Sequence, residues 1–261
     1  MADRTGPLSG KRAFVTGANS GIGYAIASAL AADGADLVLH CHGSARPSDD
    51  IAHLFDTCPV LEADFLHHQA VSDLAQAVLE TGPVDILIAN AAIEERRPWQ
   101  NIDAAAINAH VAANFTSLLL LISHLVPPMV ERNWGRVIAI GSILATRPRA
   151  ETVVYAALKS AQLTALRAIA RDVAPGGVTM NVVSPGAIET ERMADLYADA
   201  TFRQVVAAKI PMGRPGRPAD CVAPVSMLCS EAAAYITGAD IPVDGGWGIG
   251  DAPGNLPESG R

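Results

Sequence analysis

The sequence predicts one α/β domain built on a doubly wound, parallel sheet of about seven strands, with helices on both faces. Three observations carry that prediction. Short apolar runs alternate with longer amphipathic stretches along the chain, the pattern of strand–helix–strand units. Most of the short runs are continuously apolar, as expected of strands covered on both sides. The 261 residues, half of them hydrophobic, suit one large core better than two small ones.

In chain order, strands are expected at residues 12–16, 36–41, 60–62, 84–89, 136–140, 179–183 and 241–243. Helices are expected between them at 21–33, 48–55, 67–81, 104–132, 153–173 and 219–229. Right-handed crossovers then distribute the helices over both faces. Residues 184–218 break the rhythm, being rich in Pro, Gly and charge with weak helical stretches at 194–200 and 202–208. Such a long excursion is expected to form a lid over a site, the alternative being a surface insertion. The tail 248–261 is expected to be poorly ordered unless a neighbouring subunit holds it.

The net charge of −8 and pI near 5.3 argue against nucleic acid as a partner, because phosphate binding needs a basic face. Cys41, Cys58, Cys221 and Cys229 show no CxxC pair and no metal-ligand spacing, so they read as small apolar residues in a reducing compartment. No signal peptide is expected from the first residues. The apolar stretch 118–122 is too short to span a bilayer and reads as buried helix. These observations place the chain in the cytoplasm with no membrane partner.

The first strand runs into Thr16-Gly17-Ala18-Asn19-Ser20-Gly21-Ile22-Gly23. Glycines allow a tight turn and close approach of a ligand to the backbone. The following helix start offers free N–H groups to a pyrophosphate. At the first strand-to-helix junction of such a sheet, a Rossmann-type arrangement, this GxxxGxG turn points to a dinucleotide. An acid at the end of the second strand would select NAD by binding the ribose hydroxyls. Here that segment is His40-Cys41-His42-Gly43-Ser44-Ala45-Arg46. With no acid present, and with His42, Ser44 and Arg46 available to a 2′-phosphate, NADP is favoured over NAD.

Tyr155 and Lys159 lie four residues apart on an expected helix and therefore share a face. A phenol titrates near pH 10, and a nearby ammonium favours its ionised form. Ser142, directly after the fifth strand, is positioned to orient a substrate oxygen. YxxxK alone is a weak pattern; its place downstream of a nucleotide-binding turn strengthens it.

Together these motifs resemble the short-chain dehydrogenase/reductase family, in its compact GxxxGxG branch, from about residue 8 to residue 246. Gly17, Asn19, Ser20, Gly21, Ile22 and Gly23 resemble its cofactor turn. Asp64 with Phe65 is similar to the segment contacting the adenine ring, and Asn90-Ala91-Ala92 to the Asn-Ala-Gly that closes the fourth strand. Ala92 replaces the glycine, slightly crowding the backbone. Pro185, Gly186, Ile188 and Thr190 resemble the segment contacting the nicotinamide carboxamide, and Val243-Asp244-Gly245-Gly246 the end of the last strand. The resemblance implies a catalytic tetrad of Asn114, Ser142, Tyr155 and Lys159. In it Tyr155 is the general acid or base, Lys159 lowers the tyrosine pKa and holds the nicotinamide ribose, and Ser142 binds the substrate oxygen. Asn114 would hold a water linking Lys159 to solvent.

The implied activity is hydride transfer between NADP(H) or NAD(H) and a small alcohol/carbonyl substrate, in a homotetramer assembled through the helices at 104–132 and 153–173. Two alternatives stand beside it: a catalytically silent nucleotide-sensing regulator, and a lyase or epimerase using retained nicotinamide. His67 and His68 read as a solvated helix start, and no metal site is expected. Glu94-Glu95-Arg96-Arg97 and Arg147, Arg149 and Glu151 are expected near the site, either touching a polar or anionic substrate or forming solvated loops. Trp99 either closes the pocket or packs.

Overall fold

Continuous apolar runs place side chains alternately on the two faces of a strand, and a computed structural model of the protein, describing residues 6–43 and 52–250, shows both faces covered. Seven parallel strands form one sheet in the order β3-β2-β1-β4-β5-β6-β7. They are β1 (Arg12–Thr16), β2 (Asp36–Cys41), β3 (Val60–Glu62), β4 (Ile86–Ala89), β5 (Gly135–Ile140), β6 (Val178–Pro185) and β7 (Asp240–Val243). Register pairs Val15 with both Leu39 and Ile88, and Val183 with Ile241. The order reverses between β1 and β4, and it is outside the carboxyl ends of such a pair that open α/β sheets bind ligands.

The helices are α1 (Gly21–Ala32), α2 (Ala52–Thr57), α3 (His68–Glu80), α4 (Ala104–His110), α5 (Ser117–Glu131), α6 (Val153–Val173), α7 (Ala194–Ala198), α8 (Ala200–Ala207) and α9 (Val222–Cys229). Phe14, Leu87, Val137 and Met180 point to one face, into a core shared with Leu74 of α3, Leu121 and Leu125 of α5 and Leu166 of α6. Val15, Ile86, Ile88 and Ile138 point to the other, against Ile26 and Leu30 of α1 and Val225 and Leu228 of α9. Each such fully buried side chain contributes about 2 kcal/mol of transfer free energy.

The expected strands all form, with ends that shift by up to two residues, the usual scatter at element termini. Of the helix expected at 48–55, residues 48–51 lie outside the described residues, and the rest begins α2. The helix expected at 104–132 is not uniform: Val111–Thr116 between α4 and α5 is wound as a π-helix, a local widening frequent at functional sites. Pro127 and Pro128 sit inside α5 rather than ending it. By length and composition the whole run Ala104–Glu131 could cross a membrane, which the short apolar stretch at 118–122 did not suggest. In the fold its apolar face is spent on the sheet, through Leu118, Leu121, Ile122, Leu125, Val126 and Met129.

The excursion after β6 folds as α7 and α8 around a small core of Tyr197, Val206 and Ile210, with Phe202 and Trp247 packed against it. A single parallel bridge, Ile188 to Gly216, ties its base.

Candidate active site

Thr16 ends β1, and its hydroxyl accepts hydrogen bonds from the backbone N–H groups of Asn90 (2.9 Å) and Ala91 (3.0 Å). The Asn90 amide in turn donates to the carbonyls of Thr16 and Gly17, both at 3.0 Å. These bonds fasten the ends of β1 and β4 together at the switch point. Gly17 then turns the chain with φ of +63°, a left-handed conformation that glycine adopts without strain. At Gly23 a Cβ would lie 2.1 Å from the Gly17 carbonyl oxygen and 2.5 Å from the Asn90 amide nitrogen, so only glycine lets α1 press against the turn. The cap residue Ser20 makes no side-chain capping bond, and the first turn of α1 carries no acid. That helix end is left to an anionic ligand.

One buttress of the turn has no counterpart in the sequence reading. His40 is buried in β2, its Nδ1 accepts from the Gly17 N–H at 3.3 Å, and its Nε2 lies 3.1 Å from the Ala63 carbonyl oxygen. Those partners assign the neutral Nε2–H tautomer, and burial lowers the pKa to about 4. Phe65 stacks on this imidazole at 4.4 Å and is itself buried in the core, so Phe65 supports the turn from behind. A histidine in the apolar run Leu37-Val38-Leu39-His40-Cys41 was the available signal.

A cleft of about 910 Å³ opens at this edge of the sheet. Gly17, Asn19, Ser20, Gly21 and Ile22 line one end, with His42, Asn90 and Ala91 beside them. Ser142, Tyr155 and Lys159 line the middle, and Pro185, Gly186, Ile188 and Thr190 the wall that leads into α7 and α8. Gly23, Asp64, Phe65 and Asn114 stand behind these residues rather than on the cleft surface. Asp64 receives the Leu66 N–H at 2.9 Å and lies 3.8 Å from His42 and 3.7 Å from His67, giving His67 a carboxylate neighbour that the sequence did not reveal. Ser44 and Arg46 lie outside the described residues.

Ser142 follows β5 directly, and its hydroxyl accepts the Leu144 N–H at 3.1 Å. Tyr155 and Lys159 occupy the first turns of α6, on the face their spacing predicts. The buried Lys159 ammonium donates to the Ile140 carbonyl at 2.6 Å and sits 5.4 Å from the Tyr155 ring centre. Burial lowers the Lys159 pKa to about 8, with Glu94 opposing. Burial also pushes the Tyr155 phenol well above its ordinary value, as does the negative charge of Glu94, while Ser142 and Arg192 pull it back. In this protein alone, then, desolvation and Glu94 outweigh the pull of Ser142 and Arg192, and the phenol keeps its proton.

Asn114 lies in the π-helical turn, and the side chain exchanges two hydrogen bonds with the backbone of Ile93, both at 2.8 Å. Its carbonyl accepts from the amide of Gln162, three residues beyond Lys159. Gln162 is buried and was not foreseen either.

The charged loops sort themselves in space. Glu94, Arg96, Arg149 and Glu151 line the cleft, joined by Arg192 and Lys209. Glu95 and Arg97 pair at 2.6 Å, and Arg97 also reaches Asp103 at 3.2 Å, so both are engaged away from it. Trp99 is exposed and is not among the residues lining this cleft, where Trp247 is found instead.

The residues present fit a dinucleotide. At Gly17 and Gly21 the positive φ leaves backbone where a side chain would crowd Asn90 and Thr190, and the uncapped helix start faces the same space.

Comparisons with known proteins agree with that geometry. The family described as enoyl-(acyl carrier protein) reductase matches residues 17–248. Nodulation protein G of Azospirillum brasilense is 34% identical, over 92% of this chain and 98% of its own length. The 3-oxoacyl-[acyl-carrier-protein] reductase MabA of Mycobacterium tuberculosis is 36% identical, over 94% and 95%. The crystal structure of a 3-oxoacyl (acyl-carrier-protein) reductase from Agrobacterium tumefaciens, with NADP bound, superposes with a TM-score of 0.87 at 33% identity, covering 94% of this chain and 97% of that one. The chain belongs to the short-chain dehydrogenase/reductase family and is a hydride-transfer oxidoreductase.

Proposed function

We propose that the protein transfers a hydride between NADP(H), or less favourably NAD(H), and a small alcohol/carbonyl pair, with Tyr155 moving the proton. The observation that carries this reading is convergence: the glycine turn and Ser142, Tyr155 and Lys159 line one continuous cleft. Gly17, Asn19, Ser20, Gly21 and Ile22 would hold the pyrophosphate, and Asn90, Ala91, Pro185, Gly186, Ile188 and Thr190 the rest of the dinucleotide. Bound there, the nicotinamide supplies or receives the hydride.

The chain's own residues handle the proton. Ser142 Oγ donates to the substrate oxygen and fixes it beside Tyr155. In the reducing direction the phenolic O–H bond breaks, its proton passes to that oxygen, and an alcohol results. Lys159, cationic below about pH 8, steadies the phenolate left behind. The Asn114 carbonyl, which accepts from the Gln162 amide, would hold a water linking Lys159 to solvent, through which Tyr155 is reprotonated. The part of segment 184–218 beyond β6 serves as lid, with the α7–α8 core as its rigid part. A homotetramer built through the run from α4 to α5 and through α6 belongs to the same reading, supported by the exposed Ile107 of α4 and Val153 of α6. Residence in the cytoplasm is supported by four free cysteines.

The choice of NADP rests on the end of β2, where Cys41-His42-Gly43 offers no acid to repel a 2′-phosphate. A screen following nicotinamide absorbance, with both cofactors against a panel of carbonyls and alcohols, tests the proposal. Turnover is expected with NADPH at a kcat/KM at least about tenfold above NADH, the worth of one charge-assisted hydrogen bond. Equal or better use of NADH would contradict the cofactor choice, and silence across the whole panel the catalytic reading.

A further inference from the structure

A second cavity, about 510 Å³, adjoins the catalytic cleft and shares Ile143, Leu144, Arg149, Lys209 and Trp247 with it. Its other walls come from the loop 146–148, which adds Arg147. The Arg147 guanidinium donates to the Trp247 carbonyl, and the Arg149 guanidinium lies 5.5 Å over the Trp247 ring. The cavity thus holds three cationic side chains and no carboxylate, in a chain of net charge −8. Arg149 and Lys209 make no ion pair among the described residues. Three like charges gathered round one concavity repel each other unless an anion enters it.

We infer that this cavity is a subsite for an oxyanion, carboxylate or phosphate ester, carried by the substrate at some distance from its reacting carbonyl. Ser142 immediately precedes Ile143, so a carbonyl held by Ser142 and Tyr155 sits at the mouth of the cavity. Arg149 offers a planar fork suited to two oxygens of such a group. Arg147, tethered to Trp247, sets the field without having to move. Lys209 lies two residues past the end of α8, so a bound anion also draws the α7–α8 segment toward the cleft. This subsite rests on the hydride-transfer reading for its meaning, but its charge can be tested separately.

Two matched pairs distinguish the sources of the oxyanion: levulinate against ethyl levulinate, and dihydroxyacetone phosphate against dihydroxyacetone. The charged member of at least one pair is expected to have a kcat/KM about tenfold or more above its neutral partner, carried by KM. In the double variant Arg149→Gln/Lys209→Gln that ratio should fall to near one. In parallel, Trp247 fluorescence should respond saturably to the same charged compound. The response should vanish in Trp247→Phe, which assigns the signal, and weaken about tenfold or more in the double variant. Neutral members favoured or equal in both pairs, or a preference that survives the double variant, would overturn the inference. If neither pair is turned over, the fluorescence titration decides alone: a saturable response lost in the double variant upholds the subsite, and no response removes it.

Discussion

Tyr155→Phe is expected to lower kcat by about 10²–10⁴-fold, the range a positioned general acid or base supplies, while the Kd for NADPH changes less than about threefold. The substitution deletes one oxygen from a side chain half-buried in the cleft wall. The ring that Lys159 faces at 5.4 Å stays in place. Cofactor titration beside steady-state rates separates the two effects, and near-normal kcat in the variant would remove Tyr155 from the mechanism. Burial holds the phenol in its protonated form, so under the proposed mechanism carbonyl reduction needs no prior proton uptake.

A second large effect is expected in the opposite direction, on stability. Lys159 is cationic and buried, and its pKa falls from 10.5 to about 8 in the fold. The folded state therefore binds fewer protons than the unfolded chain between these values, and stability rises with pH across that window. Below it both states are protonated and the desolvation penalty, about 3 kcal/mol, is fully present. Without nicotinamide, Lys159→Met should accordingly be about 2 kcal/mol more stable than the parent at neutral pH, after the lost bond to Ile140 is deducted. The gain should shrink as pH climbs from about 8 towards 10.5, and the variant should be inactive. Urea midpoints measured across that pH range provide the check. A variant less stable than the parent at neutral pH would show that the ammonium is better satisfied than its burial implies. A destabilising group retained in the candidate active site would be an exchange of stability for function.

Much of this architecture was legible in the sequence because its signals are local. Continuous apolar runs such as Ile86-Leu87-Ile88 require cover on both faces, and the glycines at 17, 21 and 23 answer to backbone geometry. Tyr155 and Lys159 owe their shared face to helical periodicity alone. What stayed hidden depends on the direction in which a residue points after the chain has folded. The π-helical turn at Asn114 has no local signature, since it widens to satisfy bonds to Ile93 and Gln162, which are distant in sequence. His40 looked like one more core position until β2 packed beside Gly17. Phe65, read in the sequence with Asp64 as an adenine-contacting segment, also stacks on His40, a contact no local pattern announces. Arg96 and Arg97 are neighbours in sequence, yet one lines the cleft and the other is held by Glu95 and Asp103. Lys209 lies in the excursion after β6 and Trp247 beyond β7, and the two line one cavity only once Trp247 packs against the small core of that excursion.

The central claim is that a hydride ends on the substrate carbon. It is tested most directly with NADPH deuterated at the transferring position of its nicotinamide, a carbonyl found by the screen, and mass spectrometry of the product. The account predicts one deuterium on the new carbinol carbon for each NADPH oxidised, and none with Tyr155→Phe over the same interval. Product formed without net NADPH oxidation would contradict it and indicate lyase or epimerase chemistry; NADPH binding with no oxidation by any carbonyl would indicate a sensor.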